Sequence, residues 1–366
     1  MKNQKISIFS ENFHQKFLKK SKIQISRCHK KSTIFILIFV FRKFLSSLNF
    51  KWIRATDLMS SVKVVKDNIH PDDIYQGKIA DCYFLSAISA LAENPSRVQR
   101  LLITKDPNHK HAYGVLLNYC GDWKLIDLDD YFPTVEGKLF FCHTKSAEIW
   151  CMLLEKAYAK MFGGYWNIGR SCFADEAMKD LTGAPCEYLE IDDTDRGQVE
   201  ALWKKFEYWW KNKYVVVTGT KGKAGADTTV GLLQGHGYTF LKSWMLAGER
   251  VVELRDSWAD SKWNGDWGYN SGKWNQSLRT AVSMDAANPQ GRFFMPFKDY
   301  IRFFEQISVC YYEEAYVLSS FTSELESEFI GCFKFKAGSP GKYYVSLSQV
   351  DADTFPVSTN ERKSEF

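Results

Sequence analysis

The sequence predicts an α+β fold, with helices in the first part of the chain and antiparallel strands in the second. Apolar residues recur at helical spacing over residues 81–92 and 147–161. Alternating or β-branched runs fill residues 214–218, 237–244 and 249–254, separated by glycine-rich loops. Because 16% of the 366 residues are aromatic, we expect a packed core and exclude a chain that is disordered throughout.

The first 58 residues differ from the rest of the chain in charge. Residues 1–54 hold thirteen Lys and Arg and one acid, Glu11, so the remainder carries a net charge of −7 although the whole chain is at +5. We expect residues 1–58 to be a disordered basic extension, which leaves Met59 as an alternative start. No motif for binding nucleic acid accompanies the basic residues, so no nucleic-acid partner is expected.

A membrane-surface contact through this extension is the other interpretation. Residues 34–41 form an apolar run flanked by Lys and Arg, a composition that suits an anionic leaflet. The run is too short to cross a bilayer, which takes about 20 residues.

Cysteine usage indicates a reducing compartment. The nine cysteines are scattered, and no C-x-x-C pair supports a zinc or redox site. A chain with this much apolar area needs no disulfide framework. We therefore expect a cytoplasmic protein.

A strand pair and a domain boundary complete the predicted pattern of the first half. Residues 112–117 and 123–128 alternate like paired strands, with Gly121 and Asp122 as the turn between them. The polar segment at residues 192–197 breaks both the helical and the strand period, so we place a boundary there.

The predicted organisation has four parts. These are an extension over residues 1–58, a helical subdomain over 59–193, a strand-rich subdomain over 194–312 and a tail over 313–366. Two strand-like runs in the tail, residues 329–335 and 342–350, suggest the start of a β-sandwich. Such a domain needs roughly 100 residues, so the sandwich is incomplete here.

Three residues in these elements suit nucleophilic catalysis. Cys82 lies in the first turn of the predicted helix, where exposed N–H groups and the helix dipole are expected to lower the pKa of a thiol. The bland alternative for Cys82 alone is a place in the apolar core. Glycines flank His236, and Asp256 follows the next strand. Neighbouring antiparallel strands would place His236 and Asp256 within hydrogen-bond reach, which predicts a Cys–His–carboxylate triad.

Seven motifs resemble the protease core of the calpain family and occur in the family's order. They lie at residues 76–85, 121–123, 129–130, 154–160, 180–183, 235–239 and 263–267. The likeness covers about residues 70–312.

The resemblance implies a papain-like cysteine protease core of two subdomains, a helical one with the nucleophile and an antiparallel β one with the histidine. By motif position Cys82 is the nucleophile, His236 the general base and acid, and Gln76 the side-chain donor of the oxyanion hole. Asp256 holds the third triad position. Trp258 follows it and would shield the His–Asp hydrogen bond from water, or else pack in the core.

Asp256 is the main departure from the family, which has Asn there. A carboxylate orients the imidazole and also stabilises the imidazolium, so the change is compatible with activity. It adds a buried negative charge that must stay paired. This departure leaves open a second hypothesis, a catalytically impaired relative that binds polypeptides as a scaffold or regulator. A third, acyl transfer of the transglutaminase type, uses the same triad chemistry, but residues 76–82 resemble calpains instead.

Calcium is the cofactor that the resemblance implies, with one ion in each subdomain. Asp73 and Glu148 match acidic positions of the first site, where loop carbonyls would complete the oxygen shell. In the second subdomain, the positions that are acidic in the family hold Lys262, Tyr269 and Arg292 here. The two cations among them would repel a calcium ion. We therefore expect one calcium ion or none. No D-x-[DN]-x-[DN]-G loop occurs, so no EF-hand is expected.

The sequence thus predicts a calcium-dependent cysteine endopeptidase that makes limited cuts in protein substrates.

Overall fold

The computed structural model describes residues 2–12, 49–169, 173–222, 225–227, 229–256, 263–284, 291–325 and 336–349. Helices build most of the first subdomain: α1 (Ala55–Leu58), α2 (Cys82–Ala92), α3 (Pro95–Gln99), α4 (Trp150–Met161), α5 (Tyr165–Ile168) and α6 (Ala174–Thr182). Its strands are β2 (Phe50–Arg54), β3 (Ile74–Tyr75), β4 (Ala112–Tyr119), β5 (Asp122–Asp129), β6 (Tyr131–Val135), β7 (Lys138–Leu139) and β8 (His143–Thr144). The α+β class is confirmed.

Helix α2 runs through the centre of this subdomain. Every residue from Tyr83 to Ala92 is buried, and only Cys82 at its first turn is half-buried. The ring of Phe84 stacks on that of Tyr158 in α4 at a centroid distance of 4.1 Å. The core therefore fixes α2 on all sides and leaves only Cys82, in its first turn, partly exposed.

The predicted strand pair is confirmed as the β4–β5 hairpin. Its register pairs Tyr119 with Asp122, which makes Cys120 and Gly121 the turn residues, one position earlier than predicted. Both have positive φ, 50° and 85°, the backbone that a two-residue hairpin turn requires.

An antiparallel sheet of six strands forms the second subdomain, in the order β15-β14-β13-β10-β16-β9. The strands of this part are β9 (Cys186–Glu190), β10 (Val215–Thr220), β11 (Gly225–Asp227), β12 (Leu232–Gln234), β13 (Gly237–Leu246), β14 (Glu249–Arg255), β15 (Arg292–Pro296) and β16 (Phe304–Cys310). Its helices are α7 (Arg196–Lys211), α8 (Gln276–Ala281) and α9 (Phe297–Phe303). The three strands predicted near residues 214–254 are confirmed as β10, β13 and β14.

The chain enters the second subdomain earlier than the predicted boundary at residues 192–197. Strand β9 pairs with β16 and so belongs to the second sheet. Helix α7 then begins after Asp195, whose carboxylate accepts the N–H groups of Gly197 and Gln198 at 2.8 and 3.1 Å. The segment that reads as a polar break is therefore the N-cap of a helix.

Two segments of the predicted extension have regular structure instead. Strand β1 (Lys2–Asn12) lies between β17 (Ser319–Leu325) and β18 (Lys342–Gln349), and β2 pairs with β6. The predicted strand at 342–350 is confirmed as β18, whereas that at 329–335 lies outside the described residues. Among the residues described here, no helix is long and apolar enough to span a bilayer.

Candidate active site

The thiol of Cys82 lies where α2 begins, and burial dominates its chemistry. Burial raises the pKa of the Cys82 thiol, and a negative charge on the preceding Asp81 would raise it further. Hydrogen bonding to the N–H groups of Cys82 and Tyr83 lowers it, but by less. The expectation of a lowered pKa from the helix terminus is therefore wrong in direction, because desolvation outweighs the backbone N–H groups.

His236 and Asp256 form a buried pair in the second subdomain. His236 Nε2 lies 3.0 Å from Asp256 Oδ1, and the two residues are 4% and 0% exposed. The β13–β14 register places them together, since it pairs Thr239 with Arg255 and both residues lie just beyond these strand ends. The hydrogen bond leaves Nδ1 as the imidazole nitrogen with which a thiol must react.

The main chain holds His236 in place through Thr220. The His236 N–H donates to Thr220 Oγ1 at 3.0 Å, and the Thr220 N–H donates to the His236 carbonyl, also at 3.0 Å. The ring of Tyr238 meets the imidazole edge to face at 4.9 Å. Thr220 could not be identified from the sequence, because its role depends on contact between two residues that are sixteen positions apart.

A close contact between α2 and β13 brings the Cys82 and His236 segments together. Ser86 lies one turn after Cys82 on the same helix face and donates to the carbonyl of Gly237 at 3.3 Å. A Cβ on Gly237 would lie 2.6 Å from Ser86 Oγ. Glycine after His236 is therefore what lets the strand approach the helix.

We expect Gly237→Ala to push β13 away from α2 and to slow peptide hydrolysis about tenfold. Overpacking of this kind typically costs about 1–3 kcal/mol, so the melting temperature should also fall. Ser86→Ala alone should have little effect, and combined with Gly237→Ala it should recover part of both losses, because it removes the nearest atom. Thermal unfolding and hydrolysis rates of the three variants measure this. If Gly237→Ala changed neither the hydrolysis rate nor the melting temperature, the contact of Ser86 with Gly237 would not determine the position of His236 relative to Cys82.

Gln76 lies in a loop that the chain holds tightly beside the nucleophile helix. Its Nε2 donates to the carbonyl of Ile79 at 2.6 Å, and its Oε1 is buried with no hydrogen-bond partner among the described residues. A Cβ on the neighbouring Gly77 would lie 2.3 Å from the Cα of Phe141. The loop is thus fixed by a backbone approach that only glycine permits. Trp258 lies outside the described residues.

An ion pair links the far end of α2 to the strand that carries Asp256. Arg255 Nε lies 2.5 Å from Glu93 Oε1, and Glu93 immediately follows the last residue of α2. The ion pair of Arg255 with Glu93 could not be predicted from the sequence, because the two residues are 162 positions apart.

Asp73 and Glu148, the acidic residues of the expected first calcium site, lie near enough for their charges to interact. Burial raises the pKa of Asp73, and the negative charges of Asp72 and Glu148 raise it further. Glu148 accepts a hydrogen bond from Ser146 Oγ at 2.8 Å and another from the backbone N–H of Lys66. Carboxylates that repel one another suit a hard cation, although no three His, Cys, Asp or Glu side chains of the described residues form a complete metal site.

Around Arg292, the described residues of the second subdomain present a cation where a calcium ion would need an acidic ligand. Arg292 forms an ion pair with Glu253 at 2.5 Å and donates to the carbonyls of Val282 and Ser283 at 3.2 and 3.3 Å. Its guanidinium already supplies a cation to these oxygen atoms. Lys262 lies outside the described residues, and Tyr269 binds Arg279, whose guanidinium donates to the Tyr269 carbonyl at 2.8 Å and lies 5.4 Å from the centroid of its ring.

A helical subdomain with a cysteine at the start of its central helix, beside a β subdomain with a His–Asp pair, defines a papain-like cysteine protease core. The chain belongs to the calpain family cysteine proteases, whose family pattern matches residues 30–311. It is 28% identical over 274 residues to a calpain-type cysteine protease of Oryza sativa subsp. japonica and 30% identical over 274 residues to the calpain-1 catalytic subunit of Rattus norvegicus. It is 26% identical over 344 residues to calpain-5 of Caenorhabditis elegans.

The aligned regions cover 71%, 71% and 78% of this chain, respectively. They cover 12%, 38% and 53% of the three relatives, so the chain spans only part of the length of each.

Proposed function

We propose that this chain is a calcium-dependent cysteine endopeptidase that cuts polypeptides with a Cys82–His236–Asp256 triad. The observation that carries the proposal is the buried hydrogen bond of 3.0 Å between His236 and Asp256, next to the contact of Gly237 with the nucleophile helix. A reducing, cytoplasmic setting suits the thiol, and no disulfide joins the cysteines of the described residues.

The proposed reaction begins with transfer of the Cys82 proton to Nδ1 of His236. The thiolate attacks the peptide carbonyl, and Asp256 stabilises the imidazolium through Nε2–H. The imidazolium then gives its proton to the leaving amine, and a thioester remains on Cys82. Water attacks this thioester with His236 as base, which releases the carboxylic acid and restores the thiol.

Gln76 and the backbone N–H of Cys82 are the proposed donors to the oxyanion. The Gln76 amide nitrogen carries two hydrogens, and the bond to Ile79 uses one of them, so the other remains for the substrate. One such donor is typically worth about 3–4 kcal/mol of transition-state stabilisation.

Calcium would bind at Asp73 and Glu148 in the first subdomain, with backbone carbonyls supplying further ligands. The ion supplies charge neutralisation there and takes no part in bond cleavage. Since the second subdomain holds Arg292 in place of an ion, we propose one calcium site.

A thiol trap tests the proposal. We expect an epoxide-type inhibitor to label Cys82 of the full chain faster with calcium than with a chelator, and peptide mapping to locate the label. Asp73→Asn combined with Glu148→Gln should abolish the calcium effect. The matched control is Asp192→Asn combined with Glu200→Gln, because both carboxylates are exposed on the second subdomain and Glu200 pairs with Arg250 at 2.7 Å. Absence of label at Cys82 in both conditions would contradict the proposed peptidase, and an undiminished calcium effect in the double variant would contradict the site.

The raised pKa of the Cys82 thiol favours a second candidate, a catalytically impaired protein that binds polypeptides as a scaffold or regulator. The same experiment separates the two, since the impaired protein would bind an unfolded polypeptide without labelling or cleavage.

A further inference from the structure

Two buried carboxyl groups lie behind the nucleophile. Asp81 immediately precedes Cys82 and is 0% exposed, and Glu155 in α4 is 1% exposed. The helices place them on facing sides, because Phe84, three residues after Asp81, stacks on Tyr158, three residues after Glu155.

No cation balances this pair in the described part of the chain. The ionisable groups that face Asp81 and Glu155 are Cys142, Cys151 and Tyr165, none of which carries a positive charge. Glu155 accepts the N–H of Cys142, at 3.1 and 3.3 Å to its two oxygens. Apart from the facing carboxyl group of Glu155, neither Asp81 oxygen has a hydrogen-bond partner among the described residues.

Two carboxylates in such a place cannot both be ionised near neutral pH. Burial raises the pKa of Asp81, and the charge of Glu155 raises it further. Burial also raises the pKa of Glu155, to about 7, and its hydrogen bonds with the Asp81 carboxyl group and with the Cys142 N–H work in the opposite direction. The pair therefore keeps one proton, which belongs on Asp81 because only Glu155 has an N–H group to stabilise its charge.

We propose that Asp81 and Glu155 share one proton and thereby keep the position next to the nucleophile uncharged. The proposal rests on the proposed role of Cys82. A carboxylate at Asp81 would repel the Cys82 thiolate, the form that attacks the substrate, whereas a charge on Glu155 lies one helix further away. Asp81 and Glu155 are in this sense positioning residues, since they act through Cys82.

The two carboxyl groups should respond differently to neutralisation. In Glu155→Gln the remaining negative charge falls on Asp81, beside the thiol, so we expect the pH midpoint for alkylation of Cys82 to rise by about one unit. Alkylation below that midpoint should be roughly tenfold slower. In Asp81→Asn only the distant Glu155 is charged, and the midpoint should not exceed that of the wild type.

The measurement is the rate of iodoacetamide alkylation of Cys82 in the full chain as a function of pH, with the site located by peptide mapping. Asp175→Asn is the control and should leave the midpoint unchanged. Asp175 lies on α6, and its carboxyl group accepts a hydrogen bond from Ser308 Oγ at 3.1 Å. Equal midpoints in Glu155→Gln and wild type, or shifts of both variants in the same direction, would overturn the proposal.

The wild-type profile provides a second test should either variant fail to fold. Its rise should follow a single-proton curve, because Asp81 keeps its proton while Cys82 loses one. A rise shallower than a single-proton curve would show that Asp81 becomes charged over the same range and would overturn the inference. A wild-type Cys82 that does not react at any pH would instead overturn the proposed peptidase, and this inference with it.

Discussion

Replacing either Cys82 or His236 with Ala is expected to reduce peptide hydrolysis by at least about a thousandfold. Without the thiol no thioester can form. Without the imidazole no base takes the proton of the Cys82 thiol, and burial already raises the pKa of this thiol. The combined variant should lose no more activity than either single one, since the two groups act as a unit. Release of fluorescent peptides from a labelled unfolded protein measures the rates.

Two matched variants separate this effect from general damage to the fold. Cys120→Ala changes a half-buried cysteine in the β4–β5 turn, and His143→Ala changes a half-buried histidine that stacks on Tyr75. Both should hydrolyse the substrate at nearly the wild-type rate. A His236→Ala enzyme that keeps more than a tenth of the activity would mean that another group accepts the proton.

Asp256→Ala should lower kcat about a hundredfold, whereas Asp256→Asn should stay within about tenfold of the wild type. Removal of the carboxyl group leaves the buried Nε2–H of His236 without the acceptor that now lies at 3.0 Å and frees the ring to turn. The amide keeps an acceptor oxygen at the same place, so the imidazole stays oriented, but the imidazolium loses a stabilising charge. The difference between the two variants therefore separates orientation from charge.

The measurement is kcat and KM over a range of pH for both variants, with circular dichroism as the check on folding. We expect KM to change little, because Asp256 is fully buried and has no path to the substrate. Equal losses in the two variants would show that the charge alone matters. Full activity of Asp256→Ala would remove Asp256 from the triad.

The His236–Asp256 pair could be predicted because it depends on local pairing of two neighbouring strands. Contacts between distant elements could not. The approach of Ser86 to Gly237 and the pair of Asp81 with Glu155 depend on how helices and sheet pack, and no periodicity encodes that. The prediction that the pKa of the Cys82 thiol is lowered was wrong for the same reason. The degree of burial, which raises this pKa, is a property of the whole fold.

Helix α7 shows a different kind of failure. Its signals are present in the sequence: an N-cap at Asp195 and buried apolar residues at Trp203, Phe206 and Trp209. They were overlooked because the polar residues 192–197 were interpreted as a domain boundary. The strand predicted at residues 329–335 and the role predicted for Trp258 fall outside the described residues, so both remain predictions.

The attachment of the two subdomains along α2 has a mechanical consequence. Ser86 holds β13 near the start of this helix, and Glu93 holds the end of β14 just after its last residue. Seven residues of helix separate the two attachments by about 10 Å. Because the two attachments lie along one straight axis, the subdomains cannot slide past each other along the helix. Rotation of one subdomain about that axis is the movement that breaks neither attachment. Cys82 lies at the end of the axis, so such a rotation would move the outer walls of the cleft far more than the sulfur.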